Sequence, residues 1–283
     1  SQVTSLQMEF AKLGFSESQI IAMTEPTLNF ARAIGTDLPS AAKMAGSTLR
    51  IFGLNANETK DALSVLAVAA DKSSLDFSYL ETAMSTVGPV AKTFGFSLRD
   101  TTTLLGTLAN AGFDASSAAT ATRNILLNLA NSSGKLAKAL GEPVHTFPEL
   151  MDGLKWLKDM GVDLATTLEL TDKRSVAAFN TFLDGTDSAL ELRDALDDVD
   201  GELERIASER LNTVRGSLKL LQSAWEGFIL AFSNSKGIIK QVIDGLTTAV
   251  TALTEFVNKT AKFDRLGKSF AESALESAGG DYD

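Results

Sequence analysis

Apolar residues recur three and four positions apart along nearly the whole chain, and no run alternates with a period of two. Leu63, Leu66, Ala67 and Ala70 share one stripe, and Ile125, Leu126, Leu129 and Ala130 share another. The strongest holds Leu218, Leu221, Trp225, Phe228, Ile229 and Phe232. This spacing predicts an all-α chain. Helices are expected near 4–13, 17–34, 39–52, 56–71, 76–94, 98–111, 115–131, 134–140, 149–160, 164–170 and 173–183. A long helical stretch follows over about 187–233, with a break expected near Asp200-Gly201, and a last helix covers about 237–263. Gly88-Pro89 is expected to kink or break the fifth helix, because proline lacks a backbone N–H and crowds the preceding turn. Gly141 to Pro148 reads as a loop.

The punctuation between helices repeats as Gly, then an apolar residue, then Ser, Asn or Asp. It occurs at Gly14-Phe15-Ser16, Gly53-Leu54-Asn55, Gly95-Phe96-Ser97, Gly112-Phe113-Asp114 and Gly161-Val162-Asp163. The glycine suits the left-handed residue that ends a helix. The polar residue suits the N-cap of the next one, and the apolar residue between them can staple onto it. Gln19, Glu58 and Asp100 stand three residues after the first three caps, near the capping-box form, whereas Ser117 and Thr166 at the last two sites read as weaker. Gly14, Gly53 and Gly95 lie about 40 residues apart, a spacing found in repeated helix pairs. Any helical hairpin needs such a turn, so an irregular helical array is the preferred reading.

Three segments are expected: a helical core-region domain over 1–183, a long amphipathic helical hairpin or assembly segment over 184–263, and a flexible tail over 264–283. The net charge of −10 is concentrated: Asp184 to Glu209 holds ten Asp or Glu and two Arg. That run reads as a solvated helical face or as an acidic patch for a basic partner. An overall acidic chain argues against a dedicated duplex-DNA binder, which needs a basic face.

Few residues carry chemistry. There is no cysteine, and His145 is the single histidine. Thiol nucleophiles and Cys-ligated metals are excluded, and any imidazole site must use His145, which reads as an ordinary loop residue. Asp198, Asp200 and Gly201 suggest a calcium loop, but EF-hand spacing would put Leu196 and Ala207 at ligand positions. A looser cation site of Asp197, Asp198, Asp200 and Glu202 is the remaining variant. Ser40 to Lys43, like Ser132 to Lys135, matches the bare S-x-x-K of serine acyl-enzymes without its companion motifs. No phosphate-binding glycine loop occurs. No catalytic, cofactor-binding or metal site is assigned, and no cofactor is expected.

The candidate assembly surface lies late in the chain. Trp225, Phe228, Ile229 and Phe232, with Ile239, Val242, Ile243, Leu246, Val250 and Leu253, form two amphipathic helices. They suit the core of a hairpin, or helix-to-helix assembly in a trimer or hexamer or onto another protein. Ile238–Val257 carries charges and reads as amphipathic before it reads as a membrane span.

Residues from about Ala41 to Leu140 resemble the core region of phage tail tape measure proteins of the TP901 type. The resemblance is carried by Ala41-Ala42-Lys43-Met44-Ala45-Gly46, Phe52-Gly53-Leu54-Asn55, Val87-Gly88-Pro89-Val90-Ala91 and Phe94-Gly95-Phe96-Ser97. Leu108 to Phe113 and Ala118 to Leu126 continue it, and Gly216-Ser217-Leu218 with Ala224-Trp225-Glu226 resembles the end of that core. The resemblance implies a non-enzymatic structural component of a phage or prophage tail that fills the tail tube and sets its length. It implies self-association and contacts with tail tube, baseplate and tail-chaperone proteins. No specific nucleic acid is expected, and membrane contact is conceivable on DNA ejection. The expected location is the virion tail, and the bacterial cytoplasm during assembly. Fully helical, the chain would reach roughly 425 Å, short for a ruler. With Ser1 in place of Met, it reads as part of a longer protein. The other classes in view are a helical scaffold or adaptor module and a membrane-active helical protein.

Overall fold

A computed structural model describes residues 2–140 and 144–213. Its helices are α1 (Gln2–Lys12), α2 (Glu17–Ile34), α3 (Leu38–Phe52), α4 (Thr59–Lys72), α5 (Phe77–Phe94), α6 (Leu98–Asn110) and α7 (Ala115–Ala130). They continue as α8 (Lys135–Ala139), α9 (Phe147–Asp159), α10 (Leu164–Leu170), α11 (Val176–Asp184) and α12 (Thr186–Ala195). A further helix, α13, occupies 202–213. No strand occurs among the described residues, so the fold is all-α.

Each Gly-apolar-polar triplet closes one helix and opens the next with the same bonds. Gly14, Gly53, Gly95, Gly112 and Gly161 all have positive φ, between +68° and +107°. The N–H of the following apolar residue then reaches back five positions. Phe15 donates to Phe10 O, Leu54 to Leu49 O, Phe96 to Ala91 O, Phe113 to Leu108 O and Val162 to Leu157 O. At the first joint the same two residues also meet edge to face, with the rings of Phe10 and Phe15 5.9 Å apart. Ser16, Asn55 and Ser97 form reciprocal capping boxes with Gln19, Glu58 and Asp100. The last two sites are not weaker for lacking an acid three residues on. Ser117 and Thr166 donate both backbone N–H and side-chain hydroxyl to Asp114 and Asp163. Those hydroxyls, with the backbone N–H groups behind them, hold both aspartates below the usual carboxylate range.

The preference for an irregular array is corrected over α1–α7. Hairpins α1/α2, α3/α4 and α5/α6 stack so that α1, α3, α5 and α7 pack successively in one row and α2, α4 and α6 in the other. Gly14, Gly53 and Gly95 are the turns within the three hairpins, so their spacing of about 40 residues is the repeat of the stack. Small side chains recur on the buried faces of the odd-numbered row: α5 buries Ala83, Val87 and Ala91, and α7, which packs against it, buries Ala118, Ala119 and Thr122.

The fifth helix is not broken. It runs unbroken through Pro89, which stands exposed, as does Ser85 one turn earlier. The carbonyl that proline deprives of a partner therefore lies on the solvent side. Gly88 faces the other way, and a Cβ there would lie 2.8 Å from Ile51 Cγ2. Contact with α3 and α7 holds the helix through the proline. The break expected near Asp200-Gly201 spans 196–201, with Gly201 at φ +75°.

Beyond α7 the pairwise stacking gives way to short helices. α11 and α12 pack beside α6, and α9 packs on both. One hydrophobic core runs through the whole described chain, from Leu6 to Ala207, and includes Leu196, Val199, Leu203 and Ile206. Each such side chain contributes about 1.5–3 kcal/mol on burial. Of the hairpin or assembly segment expected over 184–263, residues 186–213 carry α12 and α13 and pack on this core; the part beyond residue 213 and the tail over 264–283 lie outside the described residues.

Candidate functional site

The chemistry-bearing residues of the sequence are spent on structure. Ser40 gives its N–H and hydroxyl to the N-cap Asp37, while Lys43 reaches across to Glu81 at 3.3 Å. The two are thereby turned to different partners. Lys135 pairs at 3.7 Å with Glu169. His145 is exposed, and its backbone N–H donates to Glu149, the acid of the α9 capping box. That bond and the Thr146 N–H lower the Glu149 pKa.

The acidic run divides into paired and unpaired carboxylates. Asp197 meets Arg193, and Arg99 lies 3.7 Å away. Glu202 and Glu209 both accept from Arg205, whose other contact is Asp71 at 3.5 Å. Glu204 lies 3.0 Å from Lys60 and raises its pKa, mainly through their hydrogen bond. The Glu202 carboxyl is lowered and the Arg205 guanidinium raised by the same contact. With Asp197 and Glu202 so occupied, the looser cation site is not assembled. Among the described residues no group of three or more acids or histidines is placed to hold a metal ion.

What the geometry does assemble is a clasp between residues 186–213 and the stacked helices. At its centre Arg193 Nε donates to Asp100 Oδ1 at 2.7 Å, with both side chains at most one-fifth exposed. Burial works against the charge of Arg193, but its bonds to Asp197 and Asp100 outweigh it and raise its pKa. Asp100 is also the capping-box acid of α6, accepting from Ser97 N–H and hydroxyl through its other oxygen. One carboxylate therefore starts α6 and holds α12. Beside it, Arg99 donates to the Leu196 carbonyl at 2.8 Å and to Asp61 at 2.6 Å. Further on, Arg210 donates to the Ala33 carbonyl at 3.1 Å and lies over Gly35, where a Cβ would come within 2.1 Å of the guanidinium. Gly106 gives Leu192 the same kind of access to α6.

Sequence reasoning did not find the clasp, because its bonds join residues 93, 97 and 177 positions apart. One signal was available: Arg193 and Asp197 stand at i and i+4 within the acidic run. The sequence also did not single out a second surface. Trp156, Met160, Leu164 and Leu168 are 51%, 65%, 66% and 39% exposed around the Gly161 turn. The candidate assembly residues Trp225, Phe228, Ile229, Phe232, Ile239, Val242, Ile243, Leu246, Val250 and Leu253 lie outside the described residues.

Among the described residues no helix is long and apolar enough to cross a membrane. No solved structure matches the chain. Among curated proteins it is 24% identical over 273 residues to the tape measure protein of Pneumococcus phage Dp-1, covering 91% of this chain and 23% of that one. It is 25% identical over 292 residues to the probable tape measure protein of Escherichia phage P2, covering 97% of this chain and 35% of the relative. The chain thus spans about a quarter to a third of the length of these relatives. The family model of phage-related minor tail proteins matches residues 1–214, three-quarters of the sequence and essentially the whole described fold. This chain, with its stacked helical hairpins and ionic clasp, belongs to the phage-related minor tail protein family.

Proposed function

We propose that this chain is a segment of a tape measure protein, which fills the tail tube and sets its length as the tail assembles. The observation that carries the reading is the family match across residues 1–214, joined to two relatives with that name. The described fold suits a structural role better than a catalytic one. Its Ser40, Lys43, Asp100 and Arg193 side chains are engaged in caps and ion pairs. In this reading the protein acts in the virion tail after assembly in the bacterial cytoplasm. It meets tube, baseplate and tail-chaperone proteins and further copies of itself. The stripe from Trp225 to Leu253 is the assembly surface. The test is tail length. Lengthening the helical part of the parent gene in frame should lengthen tails by about 1.5 Å per added residue, as measured by electron microscopy. Tails of unchanged length would sink the reading.

A second reading, a scaffold module for protein–protein contact, is favoured by the stacking of α1–α7, since stacked hairpins present extended surfaces. It predicts tails of normal number and length in a deletion strain.

A further inference from the structure

Five joints of the fold are fixed by a left-handed glycine and a capping residue, but the joint between α11 and α12 has neither. Gly185 alone separates the two helices, at φ −93° and ψ 15°, and no side chain caps the first turn of α12. A helical residue lies near φ −63° and ψ −42°, so a rotation of roughly 60° about one bond would join α11 and α12. The backbone ladder already runs up to the bend and away from it. Gly185 donates to the Thr181 carbonyl and Ala189 to the Gly185 carbonyl, each at 2.9 Å and with helical spacing.

Side chains serve the carbonyls in between. In a straight helix, those of Phe182, Leu183 and Asp184 would accept from the backbone N–H groups of residues 186, 187 and 188. In the bend, the buried Thr186 hydroxyl shares its proton between Phe182 O at 2.8 Å and Leu183 O at 3.0 Å. Lys158 of α9 donates to Asp184 O at 3.1 Å. Lys155, one turn earlier, lies 3.3 Å from Asp187, so two lysines grip the bend from either side of Gly185. A Cβ at Gly185 would stand 2.9 Å from the Thr181 carbonyl oxygen and 3.4 Å from Thr107 Cγ2. The bend therefore needs glycine for close approach although its φ is negative, whereas a straight helix has room for a side chain there.

We propose that Gly185 is the hinge of a two-state strap. In the closed state residues 186–213 lie across the stack under the ionic clasp. In the open state α11 and α12 are one helix over 176–195, and the residues beyond swing off α4 and α6 with it. No carbonyl is orphaned in either state, because backbone N–H groups replace the Thr186 and Lys158 bonds on straightening. A cavity of about 360 Å³, lined by Thr107, Asn110, Gly185 and Ser188 among others, adjoins the hinge, so it is not packed solid against α6. Burial of Leu192, Leu196, Val199, Leu203 and Ile206 keeps the free chain shut. The Arg193–Asp100 pair adds a charged catch that salt loosens. The inference concerns the free chain and does not rest on the role proposed above.

The chain has no cysteine, so pairs of introduced cysteines can carry spin labels in the full-length protein. Ala177 and Asp194 are exposed on either side of the hinge. Labelled through Ala177→Cys and Asp194→Cys, they should stand closer in the unmodified background than the roughly 26 Å that 17 residues span along a continuous helix. Adding Gly185→Ala should move this distance to about 26 Å. A second pair, Asn57→Cys with Ser208→Cys, should lengthen in step. The gentler combination of Thr186→Val, which keeps the buried volume, with Arg193→Met should give the same two shifts in 1 M salt, with far-UV circular dichroism undiminished. The proposal is overturned if this combination leaves the first distance where it was. It is equally overturned if the second distance lengthens while the first broadens and circular dichroism falls, since the segment then melts rather than straightens.

Discussion

The stacked hairpins of α1–α7 and the returning segment 186–213 sit on one hydrophobic core but are attached to it differently. The hairpins are joined chiefly by apolar and small side chains, with Phe10, Phe30, Leu49, Leu63, Leu66, Leu80 and Phe96 fully enclosed. Of the ion pairs between them, Lys43 to Glu81 is exposed on both sides, and Asp61, the partner of Arg99, is exposed too. The returning segment also buries Leu196 and Leu203, but arginines link it at successive points. Contacts of the first kind are short-ranged and are not screened by ions. Contacts of the second kind weaken as ions screen them. The same chain thus contains a part that responds mainly to side-chain volume and a part that responds to charge.

The largest effect should come from removing volume where the hairpin stack meets α9. Phe96 is enclosed between Phe94, 5.0 Å away edge-on, and Phe147 of α9 at 6.3 Å. Phe96→Ala should cost about 3–5 kcal/mol, seen as a lower denaturant midpoint. Next comes the clasp. Arg193→Met keeps the aliphatic bulk but leaves Asp100 without its guanidinium. A loss of about 1–3 kcal/mol is expected, confined to faster amide exchange over 186–213 while α1–α5 stay protected. Uniform loss of protection along the chain would erase the distinction between the two parts.

Acid should act more gently and in the same direction. Glu58, Glu149, Glu202, Asp114 and Asp163 all have folded pKa values below their ordinary 4.5 or 3.8. The unfolded chain therefore takes up protons first as the pH falls. The stabilisation is complete above about pH 5, erodes as pH drops through 4.5 and 3.8, and is gone below the depressed folded values. Thermal melts between pH 6 and pH 3 should therefore show a midpoint that falls as the pH drops. The smallest effect is a gain. The Thr122 hydroxyl is buried in α7 with no hydrogen-bond partner, as is that of Thr102 in α6. Thr122→Val should stabilise by about 1 kcal/mol, read from the same denaturant curves.

The parts differed equally in how far they could be read from the sequence. The hairpin turns are local, so a glycine, an apolar residue and a cap in three consecutive positions reveal each one. The turn at Gly35 escaped because Thr36 stands where the pattern wants an apolar residue. Yet the Thr36 N–H makes the same backward bond, to Ala31 O at 3.0 Å. The joint between α4 and α5 has no glycine at all, and Asn110 from α6 accepts the Ser74 N–H there. Pro89 misled because the solvent exposure of the carbonyl it orphans is a tertiary fact. The clasp was illegible for the same reason: an acidic run looks alike whether water or arginine faces it.

The order of attachments along the returning segment gives the fold a direction under load. From residue 213 backwards the fastenings come as Arg210 on Ala33, Arg205 on Asp71, then Arg99 and Arg193 around Leu196 and Asp100. A pull on the chain beyond residue 213 would meet them one at a time, like the teeth of a zip, rather than all at once. Tension from that side would peel the segment at low force and free some thirty residues of slack. The hairpin stack behind it, loaded across its rows, would still hold.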